Sequence, residues 1–139
     1  TSMASAVQSE EPWFGYYWGP TTPLGKFDMT KVSLGEEIEA AQIVNANADS
    51  ADAAVTEFAT APVLTVVTKD SQTSHPEVSE LMSNVQFETD QMSSLLAWMD
   101  ENNASSEEAA VYFLTNNTEI WKDWINDDAR TKLSALLGD

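Results

Sequence analysis

Six consecutive residues, Trp13-Phe14-Gly15-Tyr16-Tyr17-Trp18, carry five aromatic rings between Pro12 and Pro20. Aromatic side chains favour extended backbone, and proline cannot continue a ladder, so the run reads as a bounded strand. Gly19-Pro20 and Pro23 then impose a turn or an irregular crossing. On a strand, alternate side chains point to opposite faces, which puts Tyr16 with Trp18 and Tyr17 with Gly15 and Trp13. The ring density exceeds what one buried strand face needs. Two readings stay open. The rings are ordinary core, or they hold a quaternary ammonium group, which has no hydrogen-bond donor and is attracted by ring quadrupoles at about 0.5–2 kcal/mol each.

The rest of the chain reads as mainly helical, without internal repeats. Phe27 to Val32 alternates apolar and polar residues, a second extended segment. Residues 36–47, rich in Glu and Ala, suit a short helix, and residues 48–57 suit a helix or a loop. Val63-Leu64-Thr65-Val66-Val67-Thr68 is β-branched, nearly uncharged and preceded by Pro62, which predicts a strand buried in a sheet. Ser74 with Glu77 predicts a capping box, with Pro76 in the first helical turn. Met92, Leu95, Leu96 and Met99 form an apolar stripe on a helix over 88–100. Ser105 and Glu108 predict another capping box, and Asn116-Asn117 a helix end. Ile120, Trp121, Trp124 and Ile125 share a face. Asp127-Asp128 opens a last helix whose buried stripe is Ala129, Leu133, Leu136 and Leu137, stopped by Gly138.

Composition excludes several functions. The 139 residues include 23 acidic and 6 basic ones, a net charge of −17. Such a chain repels nucleic acid and anionic lipid surfaces. With no Cys, it has no thiol nucleophile, thiolate site or disulfide. The lone His75 sits beside a helix-opening proline, without a second ligand at metal spacing, and no glycine-rich phosphate loop exists. The chain therefore reads as a non-enzyme with no cofactor and no metal. Asn103-Ala104-Ser105 and Asn116-Asn117-Thr118 match the N-glycosylation pattern, but helix-end roles explain both. No stretch approaches a membrane span, and the opening Thr1-Ser2-Met3 reads as an added or cut end.

Tyr16-Tyr17-Trp18-Gly19-Pro20-Thr21-Thr22-Pro23-Leu24-Gly25-Lys26-Phe27-Asp28-Met29 resembles a segment of the substrate-binding proteins of glycine betaine, proline betaine and choline ABC importers. There a Trp-x-Pro precedes a Lys-aromatic-Asp-aliphatic run, here Trp18-Gly19-Pro20 and Lys26-Phe27-Asp28-Met29. Residues 90–103, Glu107-Glu108-Ala109-Ala110, Phe113-Leu114 and Ile120-Trp121-Lys122-Asp123-Trp124 are similar to later parts of that family. The resemblance spans most of residues 12–137. It implies two α/β lobes that close on a ligand, with this chain as the C-terminal portion. It also implies a place for Trp18 in an aromatic cage around the trimethylammonium group. Tyr16 and Tyr17 join the candidate site by proximity, and Thr21 and Thr22 as hydroxyl or amide donors to the ligand's carboxylate end. Many members carry His where this chain has Thr21, which leaves the ligand open between glycine betaine, choline and another methylated amine.

The expected fold is therefore α/β: a partial type II periplasmic-binding-protein fold with a short mixed sheet and a mainly helical C-terminal half. Residues 1–10 are expected as a disordered or added tail, 11–26 as the end of a second lobe and the inter-lobe crossing, and 27–139 as the C-terminal part of the first lobe. The expected function is the extracytoplasmic or periplasmic solute-binding component of an importer for a quaternary ammonium compound. Its partners are the ligand and ABC permease subunits, with a homodimer or swapped assembly of the isolated chain. The competing reading is a small acidic helical interaction module with every aromatic in its core.

Overall fold

The computed structural model describes residues 2–47 and 52–138. Residues 48–51, part of the stretch read as helix or loop, lie outside the described residues, and residues 53–57 are irregular. The backbone forms two compact units, Thr30–Leu64 and Thr1–Met29 joined with Thr65–Asp139.

In the larger unit, capping chemistry sets the helix limits. α1 spans Ser2–Gln8 and buries Met3, where the sequence suggests a disordered or added tail. α2 spans Thr22–Lys26, with Pro23 in its first turn. α3, Glu39–Asn47, belongs to the smaller unit. α4, Lys69–Ser74, starts where Thr68 Oγ1 accepts the Ser71 N–H, and α5 spans Pro76–Asn84. The expected Ser74–Glu77 box does not form. Ser74 ends α4, and His75 is the N-cap of α5 without a side-chain cap bond, so Pro76 alone sets the entry. α6, Thr89–Asn102, opens on a Glu88–Gln91 box, and Asn103 ends it in the left-handed region at φ 48°. α7, Ser106–Asn116, opens on the predicted box: Ser105 Oγ accepts from Glu108 N at 3.2 Å, and Glu108 Oε2 accepts from Ser105 N at 2.8 Å. These bonds from Ser105 hold the Glu108 carboxyl below its ordinary range. α8 is Thr118–Trp121, and α9, Asp127–Leu137, is capped by Asn126 Oδ1 accepting from Ala129 N at 2.9 Å.

The core of this unit gathers Met3, Ala97, Ala109, Phe113 and Trp121. The Trp121 indole, 1 % exposed, still needs a hydrogen-bond partner, and Nε1 donates to the Leu114 carbonyl at 2.7 Å. Phe87, Phe113 and Trp124 pack ring to ring at 5.0–5.7 Å. Beside them, the Arg130 guanidinium donates to the carbonyls of Lys122 and Ile125. The Lys122 amine is held above its ordinary value by Glu119. The predicted α9 stripe is not buried: Ala129, Leu133 and Leu137 are half-buried and Leu136 is exposed.

In the smaller unit, side chains lace α3 to the following segment. Asn45 exchanges two bonds with Ala54, each 2.9 Å. Gln42 Nε2 donates to the Glu57 carbonyl at 3.0 Å, and the buried Thr56 hydroxyl accepts from Ile38 N at 2.9 Å. Bonds from the Thr60 hydroxyl and N–H hold the Glu37 carboxyl below its ordinary value.

No strand exists among the described residues, so the expected α/β fold with a mixed sheet is overturned. The segments 13–18, 27–32 and 63–68 have strand-like composition but no ladder. Propensity biases each residue toward extended backbone, whereas a strand is stabilised only by a neighbour that pairs with it. Among the described residues of 34–60 outside α3, backbone polar groups are met largely by side chains, alongside the backbone bonds Gln42 N to Ile38 O, 2.9 Å, and Glu57 N to Glu36 O, 3.1 Å. The stretch expected to be buried in a sheet is exposed instead: Val63 is 97 % accessible, with Leu64, Val66 and Val67 also open.

Candidate functional site

Residues 19–26 are held along one face of α6. A Cβ on Gly19 would fall 2.6 Å from Thr89 Cγ2, so the segment approaches α6 closely here and a larger residue would have to displace the Thr89 side chain. Two residues on, the Thr21 N–H donates to Ser93 Oγ at 3.2 Å. Gly25 lies against the same turn of α6: a Cβ there would meet the Ser93 carbonyl oxygen at 2.1 Å and Ala97 Cβ at 2.9 Å. The Lys26 ammonium pairs with Asp100. Thr89, Ser93, Ala97 and Asp100 recur at three- and four-residue spacings, which puts them in one row on the helix. The ion pair is at the surface and contributes about 0–1 kcal/mol. The close backbone approach at Gly25 is therefore the stronger determinant.

The aromatic run enters this splint directly. Tyr17 stacks on Trp18 with ring centroids 5.3 Å apart and planes 8° from parallel, and Tyr16 stands 6.4 Å from Trp18 at 41°. The alternation expected of a strand would separate Tyr17 from Trp18. Without a ladder to fix side-chain directions, ring stacking sets them instead. Trp13 lies over Gly15 and donates Nε1–H to Ser2 Oγ at 3.2 Å. Trp18 is 63 % exposed, Tyr16 61 % and Phe14 86 %, so the competing picture with every aromatic in the core does not describe this chain. Thr21 Oγ1 donates to the Trp18 carbonyl at 3.4 Å, which leaves both Thr21 donors engaged within the protein. Thr22 is the first residue of α2.

Sequence reasoning brought Tyr16, Tyr17, Trp18 and Thr21 together but missed Ser93, which is 2 % exposed. The predicted apolar stripe on α6 drew attention to Met92, Leu95, Leu96 and Met99, all half-buried. The buried positions are the small residues Ser93 and Ala97. The available signal was the four-residue spacing of Thr89, Ser93 and Ala97 opposite a glycine-containing segment. A groove of 340 Å³ between α6 and α7, lined in part by Asp90, Leu95 and Tyr112, includes none of the candidate residues. Among the described residues no group of three His, Asp or Glu side chains is placed to hold a metal ion.

The OpuAC family model, described as the substrate-binding domain of the ABC-type glycine betaine transport system, matches residues 1–116. The chain belongs to that family. No curated protein matches it. OpuAC domains are binding proteins of transport and not enzymes. The chain thus has a glycine betaine-type substrate-binding role in partnership with an ABC permease, outside the cytoplasm and at the membrane. No helix among the described residues is long and apolar enough to cross a membrane.

Proposed function

We propose that this OpuAC chain binds the methylated nitrogen of a quaternary ammonium compound against Trp18, with Tyr17 stacked beside the indole and Tyr16 flanking it, in the periplasm or its equivalent. The observation that carries this reading is the Tyr16–Tyr17–Trp18 ring cluster, anchored from behind and open to solvent. Exposed rings contribute about 0.5–1 kcal/mol each to a cation, so these three supply roughly 1.5–3 kcal/mol. That is less than the roughly 4 kcal/mol that corresponds to a millimolar dissociation constant. The cluster is half a cage, and the walls that complete it belong to the two-lobed closure the resemblance implies. Thr21 braces the cluster, and Thr22 stands beside it toward the ligand's polar end. Two copies of the isolated chain associate by burying the open apolar stretch 63–67.

The test is 19F NMR of chain labelled with 5-fluorotryptophan. The Trp18 resonance is assigned by its loss in Trp18→Phe. Choline, raised through tens of millimolar at constant ionic strength, is expected to shift that resonance along a binding curve. The uncharged isostere 3,3-dimethyl-1-butanol is expected to shift it far less. An equal response to both compounds, or a silent Trp18, refutes the cage.

A further inference from the structure

We infer that Ser93, a residue remote from the ring cluster in sequence, is the positioning residue that holds Trp18 ready for a methylated cation. This rests on the reading of Trp18 as a cage wall. Trp18 has no buried anchor of its own, since most of the indole is in water. Its backbone is fixed through a short relay. The Trp18 carbonyl accepts from Thr21 Oγ1 at 3.4 Å, and Thr21 N donates to Ser93 Oγ at 3.2 Å, across 72 residues of sequence. Ser93 is 2 % exposed, so its hydroxyl has no water to turn to, and the Thr21 amide satisfies it. The same residue's carbonyl faces Gly25, so Ser93 contacts the splinted segment twice, on either side of α2's first turn. A cage wall held in place only part of the time binds with an affinity reduced by that fraction. Ser93 therefore acts on the ligand through the occupancy of Trp18's position, without touching it.

Ser93→Ala removes the acceptor and keeps the packing volume nearly unchanged. A lost hydrogen bond of ordinary strength corresponds to about a fivefold change in an equilibrium. Choline affinity, followed at the Trp18 19F resonance, is expected to fall, by up to about fivefold. In ligand-free protein, the Trp18 resonance is expected to shift and broaden while those of Trp98, Trp121 and Trp124 stay put. Ala109→Gly, a change at a buried α7 position away from this relay, serves as the control and should leave Trp18 unaltered. Should Ser93→Ala not fold, Thr21→Val removes only the hydroxyl link and is expected to move the Trp18 resonance in the same selective way. A ligand-free Trp18 signal that neither variant moves overturns the inference. If wild type responds to choline and Ser93→Ala binds it equally well, the positioning role falls alone. If wild type is silent to choline, the cage reading falls and the role falls with it.

Discussion

Replacing Gly25 with Ala sets two known effects against each other, and the structure decides the sign. Gly25 lies inside the short helix α2, where alanine is favoured over glycine by about 1 kcal/mol. On propensity alone the variant is more stable. The added Cβ, however, would sit 2.1 Å from the Ser93 carbonyl oxygen and 2.5 Å from its carbonyl carbon, whereas ordinary contact begins at 3.4 Å. The obstruction is α6 backbone, which cannot swing aside as a side-chain tip does. Overpacking of this kind costs about 1–3 kcal/mol, and a backbone obstruction belongs at the upper end. The net expectation is a loss of about 2 kcal/mol, or a fall in Tm of roughly 6–10 °C for a domain of this size. Thermal unfolding followed by far-ultraviolet circular dichroism measures it. Gly35→Ala is the comparison: Gly35 has a positive φ of 102° and nothing within 4 Å of the new Cβ, so only backbone strain of about 1–2 kcal/mol applies. A Gly25→Ala chain with an unchanged or raised Tm shows that α2 does not pack on α6 as described.

Two further expectations concern charge and association. The Glu108 carboxyl is depressed by its bonds from Ser105, so the stability it confers is complete above the usual carboxylate pKa near 4.5 and disappears as pH falls through the lower folded value. Glu108→Gln should accordingly lower Tm near neutral pH, with a deficit that closes on acidification; a deficit that stays constant over the acid range removes the carboxylate from the account. Light scattering should give a mass that rises with concentration toward the dimer, and Val66→Lys, placed in the exposed apolar stretch, should suppress the rise. A monomer mass at every concentration refutes the proposed association.

Helices were legible where a local rule sufficed. The Ser105–Glu108 box and the left-handed Gly138 at the end of α9 depend on groups within a turn of one another, and both appear as expected. That no sheet forms among the described residues was not legible, because strand composition at 13–18 and 63–68 states a preference for backbone shape and is silent about a partner. The 74–77 box failed for a different local reason. Ser74 was claimed by the preceding helix, whose Ser71 carbonyl accepts from His75 N at 2.9 Å. Within the candidate site, the rings were conspicuous and their support was not. Ser93 and Gly25 matter because two distant segments approach closely; the four-residue spacing of Thr89, Ser93 and Ala97 marks a helix face open to close approach but does not name the segment that lies on it.

That division bears on why Trp18 is open at all. An indole buries about 150–250 Å² when enclosed, so leaving 63 % of it in water forgoes roughly 2–4 kcal/mol of hydrophobic stabilisation. Collapse of a free aromatic run would recover that energy. Residues 19–26 oppose such collapse through one part-buried hydrogen bond at Ser93, two glycine contacts on α6 and a surface ion pair. Their combined contribution, at about 1 kcal/mol for the bond and a similar amount for each close-packed contact, is of the same size as the energy forgone. The ring's exposure is thus balanced by parts of the chain that meet no ligand. A variant that weakens the splint should therefore bury Trp18 and lose the cation together. A variant of Tyr16 alone should lose part of the cation's attraction and leave Trp18 where it is.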